Sequence, residues 1–163
     1  MKIGIIGSGR VGYSMGKYMQ DHGIRVTGFY DRHRERALDA AQFTGTDSFD
    51  RIEDLVAASD TLFLTTSDGE IANVWDCIRH LSIQGKIICH FSGSLSSDQF
   101  QGIEKTRAYG LSIHPMLAFS DKYTSYKQLQ NAFFTLEGHA QALAVMEPLL
   151  QKMGNPVQRI APE

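Results

Sequence analysis

Little in this chain of 163 residues could staple it together or anchor it in a bilayer. Its two cysteines, Cys77 and Cys89, lack metal-ligand spacing and are too few for a disulfide scaffold, so both are expected to be buried thiols. No apolar run approaches the ~18 residues of a membrane span. The apolar stretch at the N-terminus is broken by glycines, so it reads as a strand and not as a secretory leader. A formal charge of −2 is not the basic excess expected of a general nucleic-acid or anionic-membrane binder. Repeats, linkers and low-complexity tracts are also missing. The default expectation is a cytoplasmic protein with one domain over residues 1–163, long enough to bury a core.

Glycine is plentiful, and three glycines organise the start of the chain. Ile3, Ile5 and Ile6 form a β-branched run, followed at once by Gly7-Ser8-Gly9-Arg10-Val11-Gly12 and then by helical spacing through Val11, Met15, Tyr18 and Met19. In a strand–turn–helix unit, Gly7 permits the tight turn and Gly9 lets a pyrophosphate approach the backbone. Gly12 lets the helix pack closely on the strand. The helix start offers amides, those of Arg10 and Val11 included, and the positive end of a dipole to an anion. A second strand, 25–30, ends in Asp31, nineteen residues after Gly12, where this fingerprint places a carboxylate for the ribose hydroxyls. Asp31 favours NAD, because it would repel a 2′-phosphate; Arg32 or Arg34 could instead clamp that phosphate, and Arg36 reads as solvated.

Alternating strand and helix signals continue to the end of the chain, predicting a doubly wound, mostly parallel α/β sheet with helices on both faces. Helices are expected over 36–43, with Ala37, Leu38, Ala40 and Ala41 inward, and over 52–58, 71–81, 98–105 and 140–153. Strands are expected near 45–49 and over 61–66, 86–91, 109–116, 131–136 and 157–160. Residues 117–127 are the least regular, with Phe119, Tyr123 and Tyr126 forming a mobile lid or covering the sheet edge. Thr65, Thr66 and Ser67 fall at the switch in strand order, where they could border a cofactor or, with Asp68, cap the next helix.

A second group of polar residues follows the fifth strand. Ser92 and His114 close two strands that a parallel sheet brings to one edge, and Gly93 leaves room for a substrate. A histidine beside a nicotinamide can exchange a proton as hydride moves, and a serine can hold the reacting oxygen. His90 shares a face with Ser92, while His33, His80 and His139 read as surface residues.

The glycine fingerprint, Thr65-Thr66-Ser67-Asp68, His90-Phe91-Ser92-Gly93-Ser94 and His114-Pro115-Met116 together resemble a Rossmann-like oxidoreductase family among the 6-phosphogluconate dehydrogenase-like proteins, near pyrroline-5-carboxylate reductase and the deazaflavin-dependent NADP oxidoreductases. The Ser-Gly and His-Pro-Met segments are also similar to prephenate dehydrogenase. The resemblance implies an NAD(P)-binding fold and a small hydroxyl, carbonyl or imine substrate. It also implies cofactor contacts at Gly7, Gly9, Gly12 and Asp31, with Ser92 and His114 on the substrate side. Such relatives continue into a helical domain that closes the cleft and commonly makes the dimer, and this chain stops where that domain would start. The expected protein is therefore a fragment of a longer chain or a short protein relying on a partner. A cofactor-sensing scaffold without turnover, or a methyltransferase, are the competing readings; cofactor-dependent association and competition by S-adenosylmethionine would reveal them.

Overall fold

The structure, a computed structural model, describes residues 1–162. The elements are β1 (Lys2–Ile6), α1 (Arg10–Asp21), β2 (Arg25–Tyr30), α2 (Arg34–Thr44), β3 (Asp47–Ser48), α3 (Ile52–Ala58) and β4 (Thr61–Leu64). They continue with α4 (Ile71–Ile78), β5 (Ile87–His90), β6 (Tyr109–Pro115), β7 (Phe134–Gly138), α5 (Ala140–Lys152) and β8 (Val157–Arg159). One sheet runs in the order β3-β2-β1-β4-β5-β6-β7-β8. β1 to β6 are parallel; β7 reverses against β6, and β8 runs with β7. The order switches direction beside β1, whose neighbours are β2 and β4, and this is where an open α/β sheet leaves a crevice at its carboxyl edge.

Burial on both faces explains why these strands are apolar without alternation. Ile3, Ile5, Phe63, Cys89 and Leu111 pack on one face with residues of α1, α2 and α5. Ile6, Leu62, Leu64 and Ile88 pack on the other with Leu55 of α3 and Ile71, Trp75 and Ile78 of α4. Gly16 brings α1 onto the first face, where a Cβ would lie 2.7 Å from the Phe29 ring.

Several local expectations change. Residues 98–105 do not form one helix but two 3-10 turns, Ser97–Gln99 and Ile103–Lys105, because Gly102 between them adopts a left-handed φ of +76°. The strand expected over 131–136 is displaced: a 3-10 helix occupies Ser125–Asn131 and pairing begins at Phe134. The fourth strand stops at Leu64, leaving Thr65 and Thr66 in the following loop, and α4 stops at Ile78. Leu38 is 44% exposed, since the buried stripe of α2 runs through Ala37, Ala40, Ala41 and Thr44. Cys77 is exposed on α4, while Cys89 is buried, which pushes its thiol pKa up.

The 117–131 segment lies against α1 and α2. Tyr123 packs edge-on against Tyr13 and Phe43, and Tyr126 against Phe43. Asp39 of α2 accepts hydrogen bonds from the Tyr13 and Tyr123 hydroxyls, while the Lys122 ammonium sits 5.2 and 4.9 Å from their ring centroids. Asn155 fastens the other end. Its buried amide donates to the Leu129 and Ala132 carbonyls at 2.7 and 3.0 Å and accepts from the Tyr18 hydroxyl of α1. Asn155→Ala would leave the Ala132 carbonyl and the Tyr18 hydroxyl unpaired away from water, while the Leu129 carbonyl would keep the Ala132 amide. We expect urea unfolding to show a loss of about 3 kcal/mol for Asn155→Ala and about 1 kcal/mol for Tyr18→Phe; an unchanged midpoint in the alanine variant would show that the junction carries no such strain.

Candidate active site

The turn after β1 is built by backbone contacts. Gly7 has φ +105°, closed to most side chains, and its amide donates to the Tyr30 carbonyl at 2.9 Å. Its own carbonyl is met from two directions. Thr65 donates its hydroxyl to it at 2.7 Å, and a Cβ on Gly12 would lie 2.4 Å from it. That contact lets the start of α1 settle on the end of β1. Asp31, at the tip of β2, ties down the remaining side: one carboxylate oxygen accepts the Ser8 amide and the other the His33 amide, each at 2.8 Å.

Gly9 is different. Among the described residues no atom lies within 4 Å of a Cβ built there. It is also the N-cap of α1, with no side-chain oxygen to offer, and the amide of Tyr13 is the one that reaches its carbonyl. The amides of Arg10, Val11 and Gly12 therefore begin the helix without intrahelical acceptors. The bend is shut at Gly12 and open at Gly9.

Two cavities flank that opening. One of about 420 Å³ is lined by Gly7, Ser8, Asp31, Arg32, His33 and Arg36, with Tyr30, Ile52, Asn73, Val74 and Cys77 forming its far wall. The other, of about 350 Å³, is lined by Arg10, Val11, Asp68, Phe91 and Phe119. Gly9, Thr65, Thr66 and Ser67 border both. Thr65 spends its proton on Gly7, whereas the Thr66 hydroxyl is buried with no partner among the described residues. Neither Ser67 nor Asp68 caps the next helix; Asp68 instead accepts from the Ser94 hydroxyl at 3.1 Å. Arg34, one of the two residues that could clamp a phosphate, pairs with Asp50 at 2.7 Å. Arg36 is exposed, as expected, and also borders the larger cavity. Residues from α3 and α4 escaped the sequence reading because their only signal was helical periodicity.

Parallel pairing of β5 with β6 sets His90 opposite Ser112, so Ser92 stands level with His114. The space above Gly93, expected to admit a substrate, is filled by the His114 ring: a Cβ there would lie 2.4 Å from Cε1. His114 is half-buried, and its Nδ1 is buried without a partner among the described residues. Ser92 accepts the Ser94 amide at 3.2 Å. His90 is wholly buried; desolvation pushes its pKa down, against its bond to Ser96 and the charges of Glu137 and Asp68. Among the described residues no three His, Cys, Asp or Glu side chains cluster as a metal site would require, and no helix is long and apolar enough to cross a membrane.

No curated protein matches the sequence. Solved structures share the fold at low identity. A candidate NADP oxidoreductase from Bacteroides fragilis superposes with a TM-score of 0.85 at 19% identity, covering 98% of this chain and 60% of that one. Synechocystis arogenate dehydrogenase gives 0.81 at 18%, covering 99% and 60%. An imine reductase variant from Myxococcus stipitatus, in complex with NAD+, gives 0.76 at 17%, covering 98% and 53%. The chain thus spans 53–60% of the length of these neighbours. The profile of the oxidoreductase family with an NAD-binding Rossmann fold matches residues 1–83, which takes in the glycine turn, Asp31 and the Thr65–Ser67 border. The chain belongs to that family.

Proposed function

We propose that this chain holds NAD(P) across the turn after β1, as the cofactor-binding part of an oxidoreductase acting on a small hydroxyl, carbonyl or imine compound. The contrast between Gly9 and Gly12 carries the reading. A Cβ at Gly12 would strike the Gly7 carbonyl, whereas one at Gly9 would enter open space at the amino end of a twelve-residue helix. A diphosphate set against Gly9 would meet the unpaired amides of the first turn, with one nucleoside reaching into each flanking cavity. Asp31, held by the Ser8 and His33 amides, would take the ribose hydroxyls of the larger cavity. NAD is the proposed form, because a 2′-phosphate would be driven against that carboxylate and Arg34 is drawn away to Asp50. Arg32 and Arg36, on the same cavity wall, make NADP the second choice.

When bound, the nicotinamide supplies or takes a hydride. Phe91 and Phe119 would keep water from the smaller cavity, and the Thr66 hydroxyl, without a partner among the described residues, would hold a polar edge of the ring. Ser92 would hydrogen-bond the reacting oxygen or nitrogen. His114 would exchange the proton through Nε2, since Nδ1 is sealed in the protein. A second, helical body, contributed by the same chain or by a partner such as a second copy, would close the cleft, because hydride transfer needs a positioned substrate and little water. A cytoplasmic setting would keep the exposed Cys77 thiol reduced.

Gly9→Val tests the cradle. The variant should fold, because its side chain enters free space, yet bind NADH about tenfold or more weakly in a fluorescence titration; undiminished binding would remove the assignment. A paired titration of the unaltered protein should show NADH binding more tightly than NADPH. Asp31→Ala should narrow that gap, and a preference for NADPH at the outset would overturn the choice of NAD.

A further inference from the structure

The loop after β5 is braced from below by a histidine that no hydride chemistry requires. His90 is 0% exposed, and both of its ring nitrogens bond to the backbone of residues that follow it. The Ser92 amide lies 3.2 Å from Nδ1. An N–H can only donate, so Nδ1 must be the bare nitrogen. Nε2 then carries the proton and donates to the Ser96 carbonyl at 2.9 Å. Burial favours the same neutral ring. One residue further on, Glu137 of β7 accepts the Ser97 amide at 2.7 Å and the Ser97 hydroxyl at 2.6 Å. Residues 92–97 are thus pinned at Ser92, Ser96 and Ser97.

The pinned loop presses on His114. The Gly93 backbone lies so close to the imidazole that an added methyl group would sit 2.4 Å from Cε1 and 2.8 Å from Nδ1. A histidine poised for proton transfer usually has its second nitrogen fixed by a hydrogen bond that sets the tautomer. Here that nitrogen is buried without such a partner among the described residues. Contact replaces the bond. An unpaired buried N–H costs more than an unpaired lone pair, so the sealed Nδ1 stays bare and the proton sits on Nε2.

We propose that His90 is a positioning residue: through the Ser92–Gly93 backbone it fixes the ring plane and tautomer of His114, without touching substrate. Its catalytic meaning rests on the reading of Ser92 and His114 as substrate-side residues; its structural content does not. Three variants of the whole chain decide it. His90→Phe keeps a flat ring and removes both bonds, His90→Asn keeps an acceptor for the Ser92 amide, and Gly93→Ala displaces the imidazole directly. The readout is the pair of ring-nitrogen resonances of His114 in protein labelled with 15N-histidine, assigned by their loss in His114→Gln, with NADH fluorescence titrated alongside. Unaltered protein should show two well-separated resonances, as a single tautomer gives. His90→Phe and Gly93→Ala should draw them towards an averaged position, His90→Asn should restore the separation, and NADH affinity should stay within about twofold throughout. Should His90→Phe fail to fold, His90→Leu, which likewise removes both bonds, takes its place with the same expected result. Unmoved resonances in folded His90→Phe or Gly93→Ala protein would overturn the proposal. Absence of NADH binding in the unaltered protein would remove the oxidoreductase reading and leave the His114 result standing.

Discussion

One carbonyl oxygen, that of Gly7, governs the arrangement of this molecule. The Thr65 hydroxyl bonds to it, and Gly12 approaches it so nearly that any side chain there would strike it. They fix how near α1 comes to the end of β1 and where the loop after β4 lies. Both cavities inherit their common wall from this knot, since Thr65 to Ser67 border each of them. A longer side chain at residue 12 would push the helix off the strand and part the wall. The same helix then carries Gly16, Tyr13 and Tyr18 to their partners on β2, α2 and Asn155.

Most of this could be read from residue order, for a physical reason. Strands buried on two faces must be uniformly apolar, and helices must repeat every 3.6 residues, so β1, β4 and α1 announce themselves. The glycine triplet and Asp31 carry fixed offsets, and the structure brings them together through the Ser8 amide. What escaped were matters of which neighbour wins. Arg34 and Arg36 look equivalent in sequence, and only the placing of Asp50 draws one away. Gly102 looks like any helical interruption until its left-handed φ splits residues 97–105 in two. Gly93 reads as space for a ligand, and the space belongs to a side chain twenty-one residues later. Asn155 reads as a helix stop, whereas its amide joins three distant segments.

The two histidines of the carboxyl edge show why residue type alone does not assign a role. His90 has both nitrogens bonded and no exposure, so it is a structural cross-piece of its loop. His114, on the neighbouring strand, is partly exposed and its buried nitrogen has no partner among the described residues. Seen only as strand-end histidines, they are alike. Burial and hydrogen-bond partners distinguish them, and both follow from the register of β5 on β6.

The aromatic clasp of Tyr13, Tyr123 and Asp39 has a consequence for recognition. The segment it holds begins just past His114 and carries Phe119 to the rim of the smaller cavity. Because that stretch is already moored to α1 and α2, its chain entropy is given up during folding, not at the moment a guest arrives. Whatever enters meets a wall in its final shape, and its affinity need not cover the freezing of a loop.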